Sequence, residues 1–115
     1  MKVVINSSYG VFALSTEAHT LYAKLKGYKL IIDGDDHFCT FYKNEESEEN
    51  IIYDWKFDRS DSDLVQVVET LGEKSGHGKN CKLKVVEIPD DIKWYIDDRD
   101  QFGGEFIAEE HRTWK

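Results

Sequence analysis

The residues best suited to chemistry are the arginines, because a planar guanidinium fork meets a phosphate or carboxylate with two parallel hydrogen bonds. The 115-residue chain has three of them: Arg59, Arg99 and Arg112. Arg59 falls between an expected strand and the start of an expected helix, where unpaired backbone N–H groups also favour anions. Arg112 lies between His111 and Trp114, which brings a charged fork and an aromatic plate together. Stacking a base on such a plate is worth about 1–3 kcal/mol. Each has a plainer role open to it: Arg59 can pair with Asp58 or Asp61, and Arg112 with Glu109. Arg99 is flanked by Asp98 and Asp100 and is the weaker anion candidate.

Other constellations argue against turnover. Gly72 to Lys79 superficially suggests a phosphate loop, but five residues separate Gly72 from Gly78 where four are required. Asn80 also stands where Ser or Thr would hold magnesium, and a helix precedes the loop where a strand should. His37 and Cys39 share a strand face and His77 precedes Cys81 by four, yet the paired knuckles of structural zinc are missing. The carboxylate clusters at Asp33 to Asp36 and Asp97 to Asp100 fall in turn-like sequence, where water keeps them ionised. No G-x-S-x-G elbow occurs. We therefore assign no catalytic residue, no metal and no cofactor from the sequence.

The elements that must position these residues follow from periodicity. Residues 2–6 read as a buried strand. Ser15 is placed to cap a helix whose apolar face is Ala18, Leu21, Tyr22 and Leu25, with Gly27 as its stop. Residues 28–42 read as a β-hairpin, followed by a solvated acidic loop over 43–50. Residues 51–57 alternate, with Ile51, Tyr53, Trp55 and Phe57 expected to form one buried strand face. Ser60 or Ser62 can cap a second helix carrying Leu64, Val67, Val68 and Leu71, fading at Ser75-Gly76. Residues 82–88 and 92–97 read as strands joined by a Pro89 turn, with a tail over 105–115 that is a short helix or an extended arm. The order predicts one α+β domain over 1–115, an antiparallel or mixed sheet with two main helices packed on it.

Composition bounds the partners. Hydrophobic residues are 40% and aromatics 13% of the chain, which supplies a core and excludes global disorder. The net charge of −8 argues against duplex nucleic acid. Acids crowd into 33–63, where eleven stand against three bases, so a local anion site elsewhere is compatible with the total. No apolar run is long enough to span a membrane. MKVVINSSYG lacks the apolar core of a signal peptide, and Cys39 and Cys81 are the only cysteines. The expectation is a cytoplasmic protein with both thiols reduced.

The run Val4-Ile5-Asn6-Ser7-Ser8-Tyr9-Gly10-Val11-Phe12-Ala13-Leu14-Ser15 resembles an opening common in bacteriophage proteins. Arg59-Ser60-Asp61-Ser62-Asp63-Leu64, Leu71-Gly72-Glu73-Lys74, Leu83 to Asp91 and the closing His111-Arg112-Thr113-Trp114 extend the likeness over most of the chain apart from 28–57. The pattern resembles the phage anti-Thoeris sponge family. It departs at Ser8 in place of Cys, at Val11 in place of a second Gly, and at Ser62 in place of Pro. The resemblance implies sequestration, without cleavage, of a cyclic ADP-ribose isomer in the host bacterial cytoplasm. It also implies a homo-oligomer (a dimer or an assembly of dimers) with sites at subunit interfaces, some members also holding cyclic oligonucleotides.

For such a ligand a pyrophosphate needs Arg or N–H donors, an adenine needs a plate, and ribose needs carboxylate or amide acceptors. Asn6, Tyr9, Phe12, Arg59, Arg112 and Trp114 are the residues expected to supply them. The competing expectation is an acidic interaction module that mimics or inhibits a host protein through its negative surface. A small hydrolase is the third.

Overall fold

A computed structural model describes residues 1–8, 10–35, 39–78, 81–100 and 104–110. The order is β1 (Lys2–Asn6), α1 (Thr16–Lys26), β2 (Leu30–Gly34), β3 (Cys39–Lys43), α2 (Ser62–Leu71), β4 (Leu83–Glu87), β5 (Trp94–Asp100) and β6 (Gly104–Glu109). It is an α+β domain. The strands form three antiparallel pairs, β1 with β4, β2 with β3 and β5 with β6.

The first helix follows its local signals. The Ser15 hydroxyl accepts from Ala18 N at 3.1 Å, and Gly27 closes the helix in the left-handed region at φ 81°. Ser15 Oγ also donates to Lys74 O at 2.6 Å, so the cap fastens α1 to the 3-10 turn that follows α2. The cap of α2 is Asp61, between the two serines expected there, and its carboxylate accepts from Asp63 N at 2.9 Å. Leu64, Val65, Val67 and Val68 of α2 pack with Val4, Phe12, Leu14, Ala18, Cys81 and Leu83 into the core.

β1 is buried along Val3 to Asn6. One edge pairs with β4, in the register Val4↔Val85 and Asn6↔Leu83. The donors of its other edge are also taken: Val4 N donates to Arg59 O at 2.8 Å and Asn6 N to Glu105 Oε1 at 2.7 Å. A carbonyl from the α2 approach and a carboxylate from β6 thus finish the sheet edge, which otherwise would expose unpaired N–H groups.

Two further sequence expectations fail. Residues 51–57 do not form a strand with one buried face. Ile51 makes a single bridge to Tyr42, then Asp54–Lys56 turn as a 3-10 helix closed by Lys56 N to Tyr53 O (3.0 Å) and Phe57 N to Asp54 O (3.2 Å). The turn rotates Asp54 inward and Trp55 outward. Alternation of apolar residues records only their polarity, and here a buried hydrogen-bonding role for Asp54 overrides it. The second failure concerns β5, which pairs with β6 (Ile96↔Ile107) and not with β4, whose partner is β1. The start of the expected tail is therefore strand β6.

Candidate functional site

Of the six residues singled out for ligand contact, three meet in one place. Asn6 is fully buried; its Nδ2 donates to Gly10 O at 2.6 Å, and its Oδ1 accepts from Ser8 N at 3.0 Å and Lys82 N at 2.9 Å. These bonds shape the turn after β1 and lead the chain to Phe12, which is buried in the core. The Arg59 guanidinium carbon lies 3.5 Å from the Phe12 ring centre. Its fork donates to both oxygens of Glu105, at 2.7 and 3.0 Å, and to Val4 O at 3.2 Å.

Neither Asp58 nor Asp61 takes Arg59. Asp58 accepts from Ser60, and Asp61 is held by Tyr22 Oη at 2.8 Å and Lys26 Nζ at 2.9 Å. An anion reaching Arg59 must displace Glu105. The trio of Asn6, Phe12 and Arg59 is thus a structural junction, and its effect is to hold the segment that continues into Ala13 and Leu14. Tyr9, Arg112 and Trp114 lie outside the described residues, as do His37, Lys79, Asn80, His111 and the side chain of Arg99. Among the described residues no group of three or more His, Cys, Asp or Glu is arranged to hold a metal ion, and no helix is long and apolar enough to cross a membrane.

Ala13 and Leu14 form a wall of a cavity of about 320 Å³, completed by residues of β3 and of the 51–54 segment and by His77. Asp54 carries its polar chemistry. Asp54 Oδ2 accepts from Leu14 N at 3.2 Å, and Oδ1 lies 2.9 Å from His19 Nε2. That imidazole is wholly buried in α1 and stacked on Phe41 at 3.9 Å with the planes 20° apart. The His19–Asp54 approach is off the ring N–H axis, so it is a close polar contact and not an aligned hydrogen bond; His19 Nδ1 has no hydrogen-bond partner among the described residues. A buried polar atom in that condition costs about 1–3 kcal/mol, which marks the pair as more than packing.

Beside the cavity the same turn raises an aromatic ledge. Trp55 is 71% exposed and Tyr53 43%, with ring centres 5.8 Å apart. Lys56 Nζ sits 5.1 Å from the indole centre and 5.2 Å from the phenol centre. Tyr53 lines both the cavity and a second depression of about 280 Å³, which also takes in Lys56. Near its far side, burial and the Asp61 hydrogen bond push the Tyr22 hydroxyl well above its ordinary value.

Sequence reasoning missed the ledge by assigning Trp55 and Tyr53 to a buried face. It missed His19–Asp54 because nothing in a helix interior or an apolar run announces a polar pair 35 positions apart. Comparison with family models, with curated proteins and with solved structures finds no match. The fold and the site define a small α+β domain with a polar-floored cavity and an exposed aromatic ledge.

Proposed function

We propose that this protein binds a nucleotide-type signal of the cyclic ADP-ribose class and holds it without cleaving it. The single observation that carries the reading is the Tyr53–Trp55–Lys56 ledge. A large indole left in water, with a cation above it and a second ring beside it, is suited to a flat base bearing phosphates. Trp55 offers the plate and Lys56 the charge for an adjoining phosphate. The likeness to anti-Thoeris sponges points to the same ligand class. Here the ledge takes over the stacking and anion roles first expected of Phe12 and Arg59. Holding without turnover fits the placement of Asp54, whose Oδ1 is shielded from solvent beside His19 and whose Oδ2 already accepts from Leu14 N.

The test is thermal melting of the full chain with cyclic ADP-ribose isomers, followed by mass spectrometry of the molecule released on heating. A rise in melting temperature with intact ligand recovered supports the reading. A changed ligand overturns it in favour of an enzyme. The exposed acids Glu45, Glu46, Glu48 and Glu49 favour a second reading, an acidic module that docks on a basic protein. Indifference to every nucleotide, with salt-sensitive capture of a protein partner, would replace the first reading with that one.

A further inference from the structure

We infer that the cavity behind the ledge is a subsite for the vicinal hydroxyls of a ribose, with Asp54 as the acceptor that selects them and His19 as its positioning residue. This deepens the nucleotide reading and rests on it. The lining of the cavity decides the chemistry. Among the described residues its lining has no Lys or Arg, and a carboxylate at its floor repels a phosphate. It pairs that carboxylate with the Thr40 hydroxyl and with the apolar walls of Leu14, Phe41 and Ile52. A neutral ligand carrying several O–H donors on one edge and C–H groups on its faces fits this combination, and a sugar ring has both.

At about 320 Å³ the space is at the small end of ligand pockets, sized for one ring and not for a whole dinucleotide. Tyr53, shared with the ledge, places the base-stacking surface next to it. A nucleoside would therefore lay its base on Trp55 and direct its sugar inward.

Asp54 does not choose its own direction. The Leu14 N–H bonds Oδ2 at 3.2 Å, and the buried His19 ring, stacked on Phe41, packs its Nε2 2.9 Å from Oδ1 without an aligned hydrogen bond. Oδ1 is shielded from solvent, so Oδ2 is the oxygen left to meet an incoming hydroxyl; it accepts once, from Leu14 N, and keeps lone-pair capacity for a further bond.

The experiment is a nitrogen-15 NMR titration of the full chain with adenosine and with 2′-deoxyadenosine, following the backbone amides of Thr40, Asp54 and His77 and the Trp55 indole. The expected result is that adenosine moves both sets of signals and binds about tenfold or more tightly than the deoxy compound, the scale of one hydrogen bond to a charged group. Asp54→Asn should bring the two affinities together while the indole still responds. Equal affinities in the wild-type chain, or adenosine shifts confined to Trp55, overturn the ribose subsite and leave the stacking reading standing. A chain in which neither set moves overturns both. The wild-type comparison needs no variant to fold. His19→Gln should lower the ribose preference and leave the indole response intact, whereas a merely structural role would weaken both signals together.

Discussion

The guanidinium of Arg59 lies 3.5 Å over the ring of Phe12 while its fork grips Glu105. One side chain therefore ties the approach to α2, the turn after β1 and the first residues of β6. Both members of the ion pair are mostly buried, with 15% and 14% of their side chains exposed. Removing one partner of such a pair strands the other charge, at a cost of about 3 kcal/mol or more. Arg59→Ala should lower the unfolding free energy read from urea denaturation by that amount, and Glu105→Ala similarly. Arg59→Met with Glu105→Leu should recover much of the loss, because the apolar pair leaves no stranded charge. A double variant no better than the singles would show that the bonds to Val4 O and Asn6 N matter more than the charge.

Asp61 gives a pH dependence. Burial alone would raise its carboxyl, but hydrogen bonds from Lys26, Tyr22 and Asp63 N–H overcome this and hold it below the ordinary range. A depressed folded pKa means its stabilisation is present above the unfolded value, about 3.9, and is lost as pH falls through the folded one. Lys26 is raised by its bonds to Asp61 and Asp63, so its share is complete below its unfolded value and is lost as pH rises through the folded one. Asp61→Asn keeps a good cap and removes the charge. Near neutral pH the variant should be about 0.5–1 kcal/mol less stable, since Lys26 is partly in water. The gap should close in acid. A gap that persists there would assign the loss to cap geometry.

Gly104 begins β6 at φ 73°, and a Cβ on it would overlap the carbonyl oxygen of Ser8. Gly104→Ala must therefore strain the backbone and push β6 away from the turn after β1. The expected cost is about 2 kcal/mol or more. Amide exchange should quicken first in β6 and at Asn6, whose N–H bonds Glu105. Uniform loss of protection across α1 and α2 would instead show that the hairpin is not a separate unit.

What could be read from the sequence was local. Ser15 and Gly27 delimit α1 by bonds within a few residues, and Leu64, Val67 and Val68 mark the buried face of α2 by spacing alone. The pairing of β5 with β6 was not legible, because a strand pattern states which faces are apolar and not which edge will be covered. Arg59, Phe12 and Asn6 were singled out for their side-chain types, and they do meet. Their saturation by Glu105 depended on β6 folding back across the chain, a contact between residues 46 positions apart. The ledge was hidden by the reverse problem: in an exposed turn Trp55 carries the same letter as in a core.

Trp55 separates binding from stability more cleanly than any residue of the junction. With 71% of its surface in water it contributes little to folding, so Trp55→Ala should change the unfolding free energy by no more than about 0.5 kcal/mol. The same change removes the stacking plate, worth about 1–3 kcal/mol per base, and should weaken a nucleotide ligand roughly tenfold or more. Trp55→Phe should restore part of that affinity, because a smaller ring still stacks. Lys56→Gln should weaken phosphate-bearing ligands and spare plain nucleosides, and the loss should shrink as salt is added. Titration followed by tryptophan fluorescence in the wild type, and by calorimetry in the variants, reads all three. Unchanged affinity in Trp55→Ala would remove the ledge from the site and return attention to displacement of Glu105 from Arg59.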